Sequence, residues 1–459
     1  MKADKVGIKE VVLGYQYRIK PNSYLVEGKR VFERLRAHGV LNSTVADYTK
    51  SVFRPGIFKR IFVKSEHFGR PYITAQAMVN EDPRRMAKFI STKYTANLDY
   101  MSIHKNDILV SCAGTIGNVR LIGGFLDNYI ASQDIIRAVA DDKYGFVYAY
   151  LSTSYVYDYL QAQIYGSVVP RIEPENVRDI PVPSFSQEIV DIVNSLIIKS
   201  QNLRDEAISI IDEAKNTLSI VIGDFYIQKG IKTAVVSSQS IFNSLQHRLD
   251  PPAIINDGVI TMKEIVSSQK TIRLGDIEGV SVYRPGIFKR NYVAKGIPYI
   301  KGSEIFLTSP FRKCEHLSKT RTPFIDEMSL YEGQILITCA GSVGEIKMIT
   351  KEFEDNNAIG SQDIIRLESS NALLTKEYLF IYLQLPFVTD YIQSMKYGSV
   401  IERIEPFHIE SIPIIIPSEH LSSSISQLVN AYRKKTTEAY KLEEQAIKLL
   451  ESEIEKWNN

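Results

Sequence analysis

The sequence predicts an α+β fold in which two tandem mixed α/β domains are separated by a long antiparallel coiled coil, as a pseudo-two-fold internal repeat. Three observations predict it. The chain repeats one series of motifs, each copy reads as short strands between turns, and each copy is followed by a long heptad pattern. At 459 residues, the chain is long enough for two or three domains that each bury a core.

The repeat is clearest in a basic stretch. "SVFRPGIFKR" begins at Ser51 and "SVYRPGIFKR" at Ser281, so nine of ten residues are the same. Further motifs recur in the same order, 227 to 232 residues apart: "YQYRIKP" and "LQHRLDP", "DILVSCAGTIG" and "QILITCAGSVG", "SQDIIR" twice, and "YGSVVPRIEP" and "YGSVIERIEP". Because solenoid units span only about 20 to 50 residues, this repeat is a duplicated domain. Two equivalent sites are expected.

Each copy mixes strands with helices. "DILVSCAGTIGNVRLI", from Asp107, predicts a strand, a glycine turn and a second strand. "FVYAYLSTSYVYDYLQAQI", from Phe146, predicts one helix, because aromatic and aliphatic residues recur at spacings of three and four. We therefore expect mixed α/β domains.

The segment after each copy has apolar residues at alternating spacings of four and three, which is typical of a coiled coil. The first seam is predicted at Ile189, Val193, Leu196, Ser200, Leu203, Ala207, Ile210 and Ala214. The second is predicted at Leu421, Ile425, Leu428, Tyr432, Lys435, Ala439, Leu442, Ala446 and Leu449. Each helix alone would pack on its own domain; two in equivalent places favour pairing.

Prolines mark where each globular part ends and its helix begins. They are Pro181 and Pro183 in the first copy and Pro413 and Pro417 in the second. The predicted boundaries are a first domain at 1–185, a first helical spacer at 186–230, a second domain at 231–417 and a second spacer at 418–459.

Composition narrows the classes of protein. The 55 basic and 53 acidic side chains nearly cancel, so any nucleic-acid signal is local. Three cysteines lack the spacing of a disulfide framework or a zinc site, which favours a reducing cytoplasm. The sequence has neither the apolar core of a signal peptide at its start nor an apolar run of membrane-spanning length, and no membrane association is expected.

The basic stretch predicts contact with nucleic acid, because cations that neutralise phosphates supply most non-specific affinity. The candidates are Arg54, Lys59, Arg60 and Lys64 in the first copy and Arg284, Lys289, Arg290 and Lys295 in the second. A hairpin with merely solvated charges is the alternative. The closing motif adds Ser167, Arg171, Ser399 and Arg403, which either contact phosphate or bases or only cap and pack a turn.

Catalysis finds little support in the residues. The seven histidines are not grouped at metal-ligand spacing. Cys112 and Cys339 lie in apolar contexts that suit small core residues. The glycine turn "CAGTIG" lacks the lysine and hydroxyl of a phosphate loop. "DPP" at Asp250 is followed by Ala253 where an amino-methyltransferase has an aromatic residue. The chain is interpreted as a binding protein with no catalytic residues.

Together these motifs resemble the specificity (S) subunit of type I restriction–modification systems. "RLDPP" resembles the opening of the family's target-recognition domains, and "YRIKP" departs from it with Ile19 and Lys20. "NDILVSCAGTIGNV" resembles its Gly-Asp-Ile-Leu segment, with Asn106 where glycine is usual. "YGSVVPRIEPENVRDIPVPSFSQE" resembles its domain-closing segment, and the second copy departs at Ser418-Glu419. The resemblance covers nearly the whole chain.

The resemblance implies a non-catalytic subunit that recognises double-stranded DNA for a defence complex. Two modification subunits would carry S-adenosylmethionine and methylate adenine, and restriction subunits would add ATP- and Mg-dependent translocation and cleavage. This chain would bind none of these cofactors. Each target-recognition domain would read one half of a bipartite target, and the similarity of the two domains suggests half-sites that resemble each other.

Other interpretations stay open at this point. The chain could serve a type IIB-like or another methylation-based defence system. From a different class, it could be a two-headed protein scaffold that binds partners through its coiled coil. An enzyme in its own right is the most distant alternative.

Overall fold

The computed structural model describes residues 26–166, 168–223, 235–242 and 247–458. The chain divides into two compact units. Unit 1 runs to Asp205 and includes the segment that begins at Glu438, whereas unit 2 is Glu206–Thr437. The motif "YRIKP" at 17–21 lies outside the described residues.

Unit 1 contains short helices and short strands. Its helices are α1 (Glu27–Ala37), α2 (Leu98–Met101), α3 (Tyr144–Leu151), α4 (Ser154–Gln163) and α5 (Pro174–Arg178), with 3-10 turns at Val45–Tyr48, Glu66–Phe68, Ala77–Val79, Pro83–Met86 and Gly124–Leu126. Its strands are β1 (Leu41–Thr44), β2 (Thr49–Phe53), β3 (Phe62–Val63), β4 (Gly69–Ile73), β5 (Lys88–Ser91), β6 (Ile108–Ser111), β7 (Val119–Leu121), β8 (Ile130–Ala131), β9 (Ile135–Ala140) and β10 (Pro181–Pro183).

These strands form three sheets in unit 1. One sheet has the order β2-β9-β6-β7 and is antiparallel; a second has the order β3-β5-β4-β8, with β4 and β8 parallel; β1 pairs with β10. The predicted strand, turn and strand are confirmed, because Ile108 pairs with Leu121 across the β6–β7 hairpin. Strand β6 is buried on both faces, since Ile108 and Val110 lie in one apolar cluster and Leu109 in another.

Unit 2 repeats this series of elements. Its helices are α7 (Ser238–Phe242), α8 (Pro251–Ile255), α9 (Asp257–Ser268), α10 (Ile325–Met328), α11 (Lys351–Asp355), α12 (Lys376–Leu383), α13 (Pro386–Ser394) and α14 (Pro406–Glu410), with 3-10 turns at Leu274–Asp276 and Glu304–Phe306. Its strands are β11 (Thr271–Arg273), β12 (Val280–Tyr283), β13 (Tyr292–Val293), β14 (Ile297–Ile300), β15 (Glu315–Leu317), β16 (Ile335–Thr338), β17 (Ile346–Met348), β18 (Ile359–Gly360), β19 (Ile364–Ser369) and β20 (Pro413–Ile415).

The sheets of unit 2 have the orders β12-β19-β16-β17, β13-β15-β14-β18 and β11-β20. Each matches its counterpart in unit 1 strand for strand. The internal repeat predicted from the sequence is therefore a repeat of strand order as well as of motifs.

Two long helices complete the units: α6 spans Gln187–Ile222 and α15 spans Glu419–Asn458. In unit 1, their segments pack antiparallel, because Ser200 donates to the carbonyl of Ala439 at 2.7 Å while Phe185, just before the first helix, contacts Trp457 at a ring distance of 5.3 Å. In unit 2, the other segments share one apolar cluster that contains Ala207 and Tyr432.

The heptad prediction is right in period and partly wrong in position. In the first helix, Val193, Ser200, Ala207 and Ala214 are buried as predicted. The alternate buried positions lie one residue beyond the prediction, at Val190, Ile197, Arg204 and Ile211. The second helix shows the same one-residue displacement, at Val429, Thr436, Glu443 and Leu450. The prediction places Leu203 and Leu442 in the seams, whereas the structure buries the charged residues beside them, Arg204 and Glu443.

The single helix predicted from Phe146 is wrong in one respect, because it is broken into α3 and α4. Thr153 has an extended backbone, and its hydroxyl accepts a hydrogen bond from the Val156 amide at 3.4 Å. This is the geometry of an N-cap, which starts a new helix at Ser154.

The repeated motif "SQDIIR" ends in an arginine that is buried in both units, Arg137 on β9 and Arg366 on β19. Arg137 donates to the carbonyls of Tyr100, Met101 and Ser102. Arg366 donates to the carbonyls of Gly360 at 2.9 Å and Ile364 at 2.7 Å, and also to those of Ser361 and Met328. Burial lowers the pKa of each guanidinium to about 10, so both stay charged at neutral pH.

Candidate nucleic-acid interface

The basic stretch forms a turn that both units share, which we name the retained turn (residues 54–60 and 284–290). It follows β2 in unit 1 and β12 in unit 2. The prolines of both copies are buried, whereas the glycine, the isoleucine and the lysine are exposed. Ile57 is 82% exposed and Ile287 is 74% exposed. Both units therefore present the same exposed apolar and cationic residues.

The first arginine of each retained turn is held by a carboxylate. Arg54 lies 3.0 Å from Glu173, and Arg284 lies 3.1 Å from Glu405. These four side chains are each between 20% and 23% exposed, so the pairs are largely screened from water. These ion pairs therefore hold the first residue of each turn, Arg54 or Arg284, in place.

A tyrosine completes each of these pairs. The hydroxyl of Tyr165 donates to Glu173, and that of Tyr397 donates to Glu405 at 2.9 Å. The hydrogen bond to Glu173, with burial, raises the pKa of Tyr165 to about 12. Burial and the bond to Glu405 raise the pKa of Tyr397. Arginine, glutamate and tyrosine thus form the same cluster in both units.

Each glutamate also begins a short helix that packs beside the turn. Glu173 precedes α5, and its amide donates to the Asn176 side chain at 2.7 Å. Glu405 precedes α14, and its amide donates to Nδ1 of His408 at 2.9 Å. Sequence reasoning missed both glutamates, although the repeated letters "RIEP" were the signal that could have found them.

The remaining predicted cations, in the retained turns and just after them, differ in their surroundings. Lys59, Lys64, Lys289 and Lys295 are exposed, and so is Arg60. Arg290 is half-buried, because its Nε donates to the Tyr299 hydroxyl at 2.8 Å and its guanidinium lies 3.5 Å from Asp363. The lysines, rather than the first arginines, are thus placed to meet a ligand.

The domain-closing turn lies beside this cluster. Tyr165 and Arg171 exchange backbone hydrogen bonds of 2.9 and 2.8 Å, as do Tyr397 and Arg403 at 3.0 and 2.8 Å. Val168 is 90% exposed and Val400 is 93% exposed.

Glycine is required within the closing turn. Gly398 has a φ of 100°, and a Cβ there would lie 2.5 Å from the Ile401 carbonyl oxygen. Ser399 is exposed, and Ser167 lies outside the described residues. Of the predicted residues, Arg54 and Arg171 both lie near Tyr165, and Arg284 and Arg403 both lie near Tyr397.

The cysteines of the repeated glycine-turn motif are buried, as predicted. Burial raises the pKa of Cys112 to about 12 and that of Cys339 to about 11. Within the described parts of the chain, no group of three or more histidine, cysteine, aspartate or glutamate side chains could hold a metal ion. Across those same residues, no helix is both long enough and apolar enough to cross a membrane.

A protein-family model matches both copies of the repeat. A family model described as "Type I restriction modification DNA specificity domain" matches twice, at residues 55–210 and 267–449. No curated protein matches the chain.

Among solved structures, the chain is similar to the S subunit of a type I restriction-modification system from M. genitalium, at 15% identity and a TM-score of 0.36 over 89% of this chain and 96% of that one. It is also similar to the HsdS subunit of Thermoanaerobacter tengcongensis, at 12% identity and a TM-score of 0.27 over 89% of this chain and 95% of that one.

Proposed function

The chain belongs to the family of type I restriction modification DNA specificity domains, and on this premise we propose that each of its units reads one half of a bipartite target in duplex DNA. The observation that carries the proposal is the retained turn, which both units build from nearly the same residues after equivalent strands, β2 and β12. A protein that meets duplex DNA twice needs the same phosphate contacts twice, whatever the base sequence.

In this proposal, the arginines and the lysines of the retained turn have different roles. Arg54 and Arg284 already have carboxylate partners, so they would hold the turn in shape. Lys59 and Lys289 are exposed at the same place in each unit. These lysines would contact phosphates and position the units on DNA without reading bases.

Membership of the family supports a proposal for the partners and cofactors. The chain would join two modification subunits that carry S-adenosylmethionine, and restriction subunits that use ATP and Mg. Its own role would be recognition without catalysis, in the cytoplasm. The buried cysteines with raised pKa support this role, because a nucleophilic thiol needs the opposite, a lowered pKa.

The lysines provide the test. The double variant Lys59→Ala and Lys289→Ala, in complex with the modification subunits, should bind all duplexes more weakly. The slope of log Kd against log salt should fall by about 0.9 for each phosphate that the variant no longer neutralises. Lys448→Ala, an exposed lysine on the second long helix, is the matched control and should leave both quantities unchanged.

Two results would contradict the proposal. An unchanged salt slope in the double variant would mean that the lysines do not bind phosphate. Stable assembly with protein partners that bind no DNA at any salt concentration would favour the scaffold alternative.

A further inference from the structure

Each unit carries a six-residue loop, which we name the variable loop (residues 92–97 and 319–324). In unit 1, it joins β5 to α2, and in unit 2 it joins β15 to α10 after Ser318. The two copies have one pattern of burial. Thr95, at 8% exposure, and Thr322, at 7%, point inward, and the other five positions of each copy are exposed.

The side chains of this loop vary in the opposite way to those of the retained turn. The copies read "TKYTAN" and "KTRTPF", so the buried threonine is the same and all five exposed residues differ. In the retained turn, the exposed glycine, isoleucine and lysine are all the same. A shared exposed surface suits a group that both units meet, such as phosphate, whereas an altered one suits groups that differ, such as bases.

The backbone of the variable loop stays the same while its side chains change. Asn97 has φ 57° and ψ 34°, and Phe324 has φ 57° and ψ 30°. Asparagine tolerates this left-handed conformation, but a bulky aromatic residue rarely adopts it. Strained residues of this kind gather at functional sites. The residue at this strained position in unit 2, Phe324, is 43% exposed.

The variable loop lies next to the retained turn. In unit 2, a Cβ on Gly286 would lie 3.2 Å from the ring of Phe324. The Asn291 side chain donates to the carbonyls of both Lys289 and Arg321, at 3.3 Å each. In unit 1, the residues that flank the two segments are hydrogen-bonded, because the amide of Ser91 donates to the carbonyl of Ile61 at 2.8 Å. A duplex held by the turn would therefore meet this loop.

We infer that the variable loops read bases, that Tyr94 and Asn97 determine one half-site and Arg321 and Phe324 the other, and that the two half-sites differ. The inference rests on the proposed function. Arginine pairs with the O6 and N7 acceptors of guanine, and asparagine with the N6 and N7 groups of adenine. An exposed phenyl ring suits the methyl group of thymine. The half-sites are thus unlike, in contrast to the expectation from the similarity of the domains.

A loop exchange tests the inference. Residues 319–324 of the full chain are replaced with the sequence of 92–97, and the chain is expressed with its modification subunits in a host whose methylated sites are then mapped. The half-site read by unit 2 should take on bases of the other half-site. Discrimination at the altered base pairs should change about tenfold or more.

Single substitutions keep the test decisive if the exchanged loop does not fold. Phe324→Asn relieves the left-handed strain, and Arg321→Tyr changes an exposed side chain, so both variants should fold. Each should alter one half-site and leave the other as it was. Lys289→Ala is the control, because it should weaken methylation at all sites without a change of motif.

The outcomes separate the inference from the proposed function. If the unaltered chain directs methylation to no motif, the proposed function fails and the inference fails with it. If the unaltered chain directs a motif that stays the same in folded, active Phe324→Asn and Arg321→Tyr variants, the inference alone is overturned. Two identical half-sites in the parent motif would also overturn it.

Discussion

The two units share one buried charge and differ at another. Arg137 and Arg366 occupy the same position and both donate to backbone carbonyls. At the helix seam, unit 1 buries an ion pair in which Arg204 lies 2.9 Å from Glu443. The hydroxyl of Tyr148 donates to the same glutamate at 3.0 Å.

Unit 2 fills the matching part of its seam differently. Thr436 stands where unit 1 has Arg204, Ile211 stands where it has Glu443, and Phe380 stands where it has Tyr148. Phe380 stacks on Tyr432 with ring centroids 6.3 Å apart. The same backbone arrangement therefore accommodates an ion pair at the seam in unit 1 and stacked aromatic rings in unit 2. Arg137 and Arg366 instead bind main-chain carbonyls, which every sequence with this backbone provides. This explains why an arginine is present at this position in both copies.

The largest effect should come from loss of the shared arginine. Arg366→Met and Arg137→Met should each destabilise their unit by about 4 kcal/mol or more, because several buried carbonyls lose a charged donor. Calorimetry measures the loss, and hydrogen exchange assigns it to a unit. Arg273→Met, at an exposed arginine paired with Asp276, is the control and should cost far less stability.

A large loss of stability from Arg366→Met with none from Arg137→Met would contradict this prediction. It would mean that the two arginines share a position without sharing a role.

The seam should show an effect in unit 1 alone. Glu443→Leu should destabilise unit 1 by about 3 to 5 kcal/mol, because it leaves Arg204 buried without this carboxylate. The double variant Arg204→Met and Glu443→Leu should recover part of the loss, since the buried charge is removed as well. Recovery would be incomplete because Arg120, which is also buried, loses its attraction to Glu443. Thermal unfolding of the single and double variants measures both changes.

Glu438→Gln is the matched control for the seam. Glu438 pairs with Lys199 at 2.7 Å on the same helices, but the two side chains are 49% and 60% exposed. Its loss should cost less than about 1 kcal/mol. Equal losses from Glu443→Leu and Glu438→Gln would show that burial does not strengthen the pair.

Much of this architecture is predictable from the sequence because it depends on local pattern. The duplication, the hairpin at Ile108 and the heptad period follow from repeated letters and spacing. The seam residues Arg204 and Glu443 were missed because each is a charged residue beside a leucine, and only the packed structure shows the two paired. The glutamates that hold Arg54 and Arg284 were missed because they lie far along the chain from the arginines.

The candidate site, like the fold, was predictable from the sequence only in part. The basic stretch was found because it is repeated and carries four cations in each copy, and Lys59 and Lys289 are exposed as a phosphate contact requires. The variable loop could not be placed beside it, because its neighbours come from separate strands. Nor does the sequence show the left-handed backbone of Phe324, because an aromatic residue rarely adopts that conformation.

The smallest effect should come from the variable loops, and it should have opposite signs in the two units. Phe324→Asn should stabilise unit 2 by about 1 kcal/mol, because asparagine adopts a φ of 57° with less strain. Asn97→Phe should destabilise unit 1 by a similar amount. The loss of packing between Phe324 and Gly286 offsets part of the gain, which limits its size. Midpoints of thermal unfolding of the two variants measure this pair of changes, and a stabilised Asn97→Phe would mean that the left-handed position is not strained for an aromatic residue.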